Sequence, residues 1–234
     1  MDILMPAIMA GNKWTPKSLT NLELWYAADK ITGLSDGAAV AQWDDLSGNN
    51  RHATQGTSGK RPTYKTNILN SEPVVRFSFA SSTSLLVTLA STISQPNTVF
   101  VVWSGYSNGT YLRALGSNSD GSGSPNLHHY NNKIGFTAGN TIEYSKTLPF
   151  SHLITTGVTN GANSVVYENG LSKTTGNAGA YGWGSFRIGA FWTETGFLNG
   201  DIAEVIFYSA ALSTADRQRV EKYLSGKYGI AVAA

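Results

Sequence analysis

Short runs of β-branched, aromatic and leucine side chains, separated by turns rich in glycine, asparagine and serine, recur between residues 22 and 208 of this 234-residue chain. No helical period lies between them, so the pattern predicts an all-β protein. Asn169-Gly170 is the strongest two-residue hairpin signal among the turns. The predicted strands are Leu22–Tyr26, Ala39–Trp43, Pro73–Phe79, Ser84–Leu89, Thr98–Trp103, Tyr111–Leu115, Asn126–Tyr130, Lys133–Thr137, Thr141–Ser145, His152–Thr159, Ser164–Glu168, Leu171–Thr175, Ser185–Ala190 and Asp201–Tyr208. This spacing is typical of an antiparallel jelly-roll β-sandwich.

One helix is predicted near the end of the chain, from Thr214 to Ser225. Ser213 is placed to cap its first turn, and Asp216 follows three residues later in a variant of the capping box. Gly226 is placed to end the helix. The apolar stripe consists of Val220, Tyr223 and Leu224. We expect this stripe to pack on the sandwich or to close one of its edges.

The first 19 residues lack strand alternation and contain Pro6 and Pro16. We therefore predict an extended N-terminal arm over residues 1–19, followed by one jelly-roll domain over residues 20–234. The apolar side chains of the arm, which we expect to bind a partner protein, are Ile3, Leu4, Met5, Ile8 and Met9. Asp2 stands where a secretion signal would carry a basic residue, so we expect no classical export from the cytoplasm.

Charged residues make up only 14% of the sequence, and the formal net charge is +2. A nearly neutral chain without a basic cluster does not favour nucleic acid as a partner. The absence of cysteine excludes disulfides, a thiolate nucleophile and thiolate-bound metals. No apolar run approaches the length of a membrane span. The composition therefore favours neutral ligands or extended protein contacts.

Six segments, three in each half of the chain, together match a known sequence pattern. They are Trp43–Gln55, Arg61–Tyr64, Pro73–Phe79, Gly184–Phe191, Gly200–Ser213 and Glu221–Ile230. The chain resembles laminin-G-like, concanavalin A-like jelly-roll domains over about residues 22–230. The resemblance is specific for the fold. It is far less specific for function, because this family includes lectins, adhesion modules, enzyme accessory domains and viral structural proteins.

The segment Ala10–Asp29 is most similar to versions of this family in tailed-phage structural genes. The resemblance implies a non-catalytic virion protein, either a capsid decoration protein or a tail or fibre module. It implies other virion proteins as partners and host surface polysaccharide as a further one, while self-association stays open. The alternatives are a stand-alone carbohydrate-binding lectin module and a glycan hydrolase or lyase on the same fold.

Aromatic residues in loops are the candidate sugar-binding groups, because the resemblance implies that such rings stack on pyranose rings. The candidate glycan-binding residues are Tyr106, Asn108, Tyr181, Trp183 and Trp192. Loops at the end of a sandwich are where binding residues concentrate. The alternative is that these aromatics fill the edges of the core or pack against a neighbouring subunit. For Trp183 and Trp192 this alternative is the favoured one.

An oxygen-rich loop contains Asp44, Asp45, Asn49 and Asn50, the side-chain types that calcium prefers. Several members of the resembled family bind calcium, but none of their ligand sets maps onto this loop. Asp and Asn side chains also stabilise turns by accepting hydrogen bonds from nearby main-chain amides. We therefore predict turn chemistry here, with no cofactor and no metal site.

Strand alternation places Glu204 among apolar neighbours, where burial would raise the pKa of its carboxyl group. A glycosidase needs two carboxylates flanking the scissile bond, and Asp201, three residues away, is predicted to face the other side. We predict instead that Glu204 forms a structural ion pair with Arg187. The adjacent His128 and His129 are predicted to point to opposite faces and cannot share a metal. The chain is therefore predicted not to be an enzyme.

Overall fold

Two antiparallel β-sheets form the framework of the described residues, which are 14–106, 111–118 and 123–233. The structure is a computed structural model. Its strands are β1 (Leu22–Ala27), β2 (Gln42–Trp43), β3 (Ala53–Thr54), β4 (Thr63–Leu69), β5 (Glu72–Phe77), β6 (Leu85–Val87), β7 (Asn97–Gly105), β8 (Tyr111–Ser117), β9 (Asn126–Tyr130), β10 (Lys133–Thr137), β11 (Thr141–Ser145), β12 (Phe150–Thr159), β13 (Ser164–Glu168), β14 (Leu171–Gly176), β15 (Phe186–Ile188) and β16 (Gly200–Tyr208). The helix α1 (Thr214–Tyr228) follows β16. The predicted class, all-β with one C-terminal helix, is confirmed.

Each sheet has eight strands, and sequence neighbours are repeatedly separated by strands from distant parts of the chain. The first sheet has the order β14-β13-β12-β7-β16-β5-β4, with β1 paired to β16. The second has the order β11-β10-β9-β8-β15-β6-β3-β2. All the pairings between these strands are antiparallel, as expected for a sandwich with jelly-roll crossovers.

The main core lies between the two sheets, and a second apolar cluster lies outside the first sheet. Trp43, Trp103 and Trp183 are fully buried side chains of the main core. In the second cluster, Val220 and Leu224 of α1 pack on side chains from β1, β5, β7, β12 and β16. We call the outer surface of the first sheet beneath α1 the covered face.

The helix begins as predicted but ends later. The Ser213 hydroxyl accepts a hydrogen bond from the main-chain N–H of Asp216 (3.1 Å), which confirms the cap. The stop at Gly226 was a wrong prediction, because the helix continues to Tyr228, whose buried ring packs on the first sheet. Gly229, with a φ of 66°, ends it in the left-handed conformation that glycine favours. In the described part of the chain, no helix has the length and apolar character of a membrane span.

Each predicted strand overlaps an observed one. Two observed strands, β3 and β4, were not predicted from the sequence pattern. The hairpin at Asn169-Gly170 is confirmed, since both residues have positive φ angles, 50° and 79°, as a type I′ turn requires. Strand β3 has only two residues, and β4 is an edge strand whose second half is partly or fully exposed. Asn67 of β4 has a φ of 54°, which interrupts the regular alternation.

Residues 14–19 pack on the folded domain, although the sequence assigned them to the arm. The ring of Trp14 lies 5.9 Å from the ring of Tyr223. The Tyr208 hydroxyl donates a hydrogen bond to the Pro16 carbonyl (2.9 Å). The other predicted arm residues that we expected to bind a partner, Ile3, Leu4, Met5, Ile8 and Met9, lie outside the described residues.

Candidate functional site

The outer surface of the second sheet carries a group of aromatic and basic side chains. Alternation points Tyr111 and Arg113 of β8 away from the core, together with His128 and Tyr130 of β9. The strand register places Tyr111 opposite Tyr130 and Arg113 opposite His128. The described helix packs on the other sheet. We call this surface, together with the adjoining turn at residues 190–197, the open face.

The guanidinium group of Arg113 lies between two aromatic rings of the open face. Its central carbon is 4.0 Å from the ring centroid of Tyr111 and 4.1 Å from that of Phe191. The Tyr111 ring also stacks on the His128 ring (5.3 Å, 23°) and contacts the Tyr130 ring (4.5 Å). A cation between two rings is held by their quadrupoles and by contact area. The four rings and the guanidinium therefore form one continuous stack across β8 and β9.

Two glycines leave room for this stack. A Cβ atom on Gly135 of β10 would lie 2.6 Å from Nε2 of His128, so the imidazole ring occupies the space above a residue without a side chain. A Cβ atom on Gly116 of β8 would lie 2.6 Å from the Ala190 carbonyl oxygen. The close approach at Gly116 lets the turn at residues 190–197 lie against the sheet, which brings Phe191 over Arg113.

The turn at residues 190–197 is fixed by main-chain bonds and by two ion pairs. The N–H of Phe191 donates to the Thr195 carbonyl (2.9 Å). Glu194, with a φ of 57°, meets Lys60 Nζ at 2.5 Å and an Arg187 Nη atom at 2.8 Å. The hydrogen bond from Lys60 holds the pKa of Glu194 below its usual range, against a smaller effect of burial and with help from the Arg187 charge. The turn is therefore anchored by a carboxylate that two cations share.

Arg113 differs from these cations because no carboxylate of the described residues lies within 4.0 Å of it. Burial lowers its pKa, yet a guanidinium stays charged at any physiological pH. Burial, followed by the Arg113 and His129 charges, lowers the pKa of His128 to about 3, so its ring is neutral. Nε of Arg113 and Nδ1 of His128 are buried, and neither has a hydrogen-bond partner within the described residues.

The predicted sugar-binding residues are not brought together. Trp183, a candidate sugar-binding residue, has its ring fully buried against Phe136, Phe186 and Phe207, as the favoured core alternative predicted. The core alternative applies to it because the Trp183 main chain bridges to Ile93, which turns the indole inward.

The remaining candidates lie in separate places. Tyr106 is half-buried, and its hydroxyl donates to Asp201 (2.6 Å) on the first sheet. Tyr181 is 45% exposed on the loop before β15. Trp192 is partly exposed on the turn of the open face, and no ring contact joins it to Tyr106 or Tyr181 in the described part of the chain. Asn108 lies outside the described residues.

The predicted ion pair between Glu204 and Arg187 is wrong. Arg187 pairs with Glu194 on the second sheet, whereas Glu204 lies on the covered face of the first. One Glu204 oxygen accepts from Trp25 Nε1 (2.6 Å) and the other from Lys227 Nζ (2.7 Å), with Tyr228 also donating. Burial raises the pKa of the Glu204 carboxyl group, and the Lys227 ammonium opposes that rise most strongly.

Asp201 also differs from its prediction, because a β-bulge changes its orientation. The register of β16 against β7 shifts between Ile202 and Glu204, so the simple alternation that separated Asp201 from Glu204 does not hold. Asp201 is fully buried and accepts two bonds from Arg76 (2.8 and 2.9 Å). Burial would raise its pKa, but the hydrogen bonds from Arg76, His152 and Tyr106 lower it to about 2. The carboxylate is therefore ionised and held by a structural cation.

Two other predictions agree with the structure. The Asp45 carboxylate accepts from the main-chain N–H groups of Trp25 (3.1 Å), Ser47 (2.9 Å) and Arg51 (3.1 Å), which is the predicted turn chemistry. His128 stacks on the outer surface, while His129 contacts Phe150 of the core, so the two rings point to opposite faces as predicted.

Arg113 and Tyr130 were missed by the sequence analysis, although a usable pattern exists. The sequences Tyr-Leu-Arg at 111–113 and His-His-Tyr at 128–130 each place a ring and a basic or polar group on one face of a strand. The contribution of Phe191 could not be found in this way, because it depends on the turn crossing Gly116.

No family model and no curated protein matches this chain. Solved structures do match. The binding domain of botulinum neurotoxin DC in complex with SialylT has a TM-score of 0.61 and 16% identity, over 87% of this chain and 51% of that chain. The receptor binding domain of botulinum neurotoxin D has a TM-score of 0.63 and 12% identity, over 90% and 54%. Trypanosoma rangeli sialidase in complex with sialic acid has a TM-score of 0.55 and 12% identity, over 92% and 34%.

These comparisons define the class of protein as a β-sandwich domain. The chain spans about half the length of the neurotoxin chains and about a third of the sialidase chain. At such low identities, what the chain shares with them is the fold. The laminin-G-like family and the phage origin that the sequence suggested stay predictions.

Proposed function

We propose that this protein is a non-catalytic glycan-binding β-sandwich module that uses its open face. The observation that carries the proposal is the stack of Tyr111, Arg113 and Phe191 beside Tyr130, which is 39% exposed. Tyr and Arg side chains are the groups that most often dominate binding surfaces, because each combines contact area with hydrogen bonding. A sheet surface on which the described rings of Tyr111 and Tyr130 are partly exposed suits a flat sugar ring. The fold shared with structures solved in complex with SialylT and sialic acid supports the proposal.

The carboxylates of the described core support a non-catalytic role. Asp201 and Glu204 are each fully or almost fully buried and each contacts a cation, Arg76 or Lys227. A glycosidase acid or base must reach the glycosidic oxygen or a water molecule beside the sugar. Neither carboxylate is on the open face, so we propose binding without hydrolysis.

Glycan array binding with two tyrosine variants tests the proposal. Tyr130→Ala is expected to weaken binding by about tenfold or more, because it removes an exposed ring of the stack. Tyr181→Ala is the matched control, since it removes a similarly exposed tyrosine (45% against 39%) from a loop outside the open face. Unchanged binding by Tyr130→Ala together with loss in Tyr181→Ala would move the site to the loop and contradict the proposal.

We further propose that this module acts within a phage virion, as a capsid decoration protein or a tail or fibre module. The support is the sequence resemblance of residues 10–29 and the apolar composition of Ile3, Leu4, Met5, Ile8 and Met9. Deleting residues 1–13 spares Trp14 and Pro16, which pack on the domain. We expect the shortened protein to fold but to be absent from purified particles by mass spectrometry. Normal incorporation would contradict the tether role.

A further inference from the structure

We propose that the open face selects glycans that carry an anionic group, and that Arg113 binds this group. The inference rests on the proposed glycan-binding function and adds the chemical class of the ligand. The shared chemistry is a negatively charged group with at least two oxygens, a carboxylate or a sulfate ester, because the planar guanidinium fork matches such groups.

Arg113 differs from the other described arginines in what its guanidinium contacts. Five of them contact a carboxylate, and Arg61 donates to two main-chain carbonyls. The five are Arg51, Arg76, Arg187, Arg217 and Arg219. Arg113 has no carboxylate within reach in the described residues, and its Nε has no hydrogen-bond partner there. Among the described residues, the positive charge of Arg113 is therefore left without a carboxylate or carbonyl partner.

The turn at residues 190–197 lies in a positively charged environment. Among the described residues, three cations contact this turn, namely Arg113 through Phe191, and Lys60 and Arg187 through Glu194. The turn contains a single carboxylate, Glu194, so the three cations and one carboxylate leave an excess of two positive charges. A partly buried cation without a counter-charge is costly, and the two rings around Arg113 offset only part of that cost. An anionic ligand would supply the missing charge.

His128 provides a neutral polar group next to the Tyr111 ring of the stack. His128 is 4% exposed, and its Nδ1 atom is buried without a partner in the described residues. Because its ring is neutral, it adds no second positive charge beside Arg113. It stacks on Tyr111 and thereby fixes the ring that holds the guanidinium. Arg113 is thus presented in one orientation, which favours a bidentate contact.

The structural alternative is that Arg113 only attaches the turn to the sheet. That role would require contact area from the side chain but no particular preference for charged sugars. The variants Arg113→Gln and Arg113→Lys separate the two roles, because Gln removes the charge and Lys retains it without the planar fork. Lys222→Gln is the matched charge control, since Lys222 is exposed on α1, on the other side of the molecule.

The test is the affinity of the full chain for two matched pairs of polysaccharides, measured by biolayer interferometry. One pair is polygalacturonate and its methyl ester, and the other is dextran sulfate and dextran. We expect one acidic polymer to bind about tenfold or more tighter than its neutral counterpart, and the responding pair identifies carboxylate or sulfate. The ratio should fall to about one in Arg113→Gln, fall partly in Arg113→Lys and stay unchanged in Lys222→Gln. Unfolding curves confirm that each variant is folded.

The outcomes separate this inference from the proposed function. Equal binding of acidic and neutral polymers that is lost in Tyr130→Ala would overturn the anion preference but keep the glycan-binding role. A ratio that falls equally in Lys222→Gln would show general charge attraction and would also overturn the role of Arg113. No binding of any of the four polymers, with none on the glycan array, would contradict both.

Discussion

The two outer surfaces of the sandwich differ in whether their buried charged side chains are paired with an opposite charge. On the first sheet, Glu204 is buried beneath α1 and pairs with Lys227 of that helix, while the buried Glu221 of α1 itself pairs with Arg217. On the second sheet, the open face holds Arg113 between two rings without a carboxylate in the described residues. A covered surface must satisfy its charges internally, because a buried unpaired charge is strongly destabilising. A surface that the described helix does not cover can keep one cation for a partner, which fits the proposed binding role of the open face and a stabilising role of the covered face.

The largest expected effect comes from removing a cation of the covered face. Lys227→Met should lower the free energy of unfolding by about 3–5 kcal/mol, because it leaves Glu204 buried beside Asp29 without a compensating charge. Chemical denaturation measures this change. Lys222→Met on the exposed side of the same helix should change stability by only about 0.5 kcal/mol or less. Equal stability of the two variants would contradict the claim that the covered face depends on its buried ion pairs.

An intermediate effect is expected from pH, through Asp201. Its pKa is about 2 in the folded protein and about 3.9 in an unfolded chain, so its ionised form stabilises the fold above pH 4. That contribution, about 2–3 kcal/mol, should be lost as the pH falls from about 4 to 2. Asp201→Asn should therefore be less stable at pH 6 and lose less stability on acidification. The exposed Asp44→Asn serves as the control, and parallel pH curves for wild type and Asp201→Asn would contradict the assignment.

The smallest stability effect is expected on the open face. Gly135→Ala would place a Cβ atom 2.6 Å from the His128 ring, which is itself held by Tyr111, so we expect about 1–2 kcal/mol of destabilisation. The displaced stack should also weaken glycan binding. Gly56→Ala, where a Cβ atom has no neighbour within 4 Å, is the matched control. Unchanged stability and binding in Gly135→Ala would show that the stack is not the rigid platform described above.

The regular parts of the fold could be predicted from the sequence because local patterns determine them. Strand alternation located most strands, the Asn169-Gly170 turn fixed a hairpin, and Ser213 marked the start of the helix. The helix end at Gly229, not Gly226, was missed because packing of Tyr228 extends the helix past the first glycine. Packing between distant elements therefore determines where the helix ends, which the local sequence alone does not.

The candidate site was less predictable, because its parts come from separate segments. The bulge in β16 reversed the expected relation of Asp201 to Glu204, and alternation alone contains no sign of such an irregularity. Trp183 lies in a segment with a loop-like sequence, yet its side chain is part of the core. The stack around Arg113 needs a turn that crosses Gly116, and this contact depends on the three-dimensional fold.

The most direct test of the account is to locate the bound glycan on the two faces by NMR. In ¹⁵N-labelled protein titrated with the acidic polymer fragment that binds, we expect shifts in the Nε–H resonance of Arg113 and in the amides of β8, β9 and residues 190–197. The amides of α1 and the Trp25 indole N–H, which is bonded to Glu204 on the covered face, should stay unchanged. Shifts confined to α1 and Trp25, with none at Arg113, would contradict the assignment of binding to the open face.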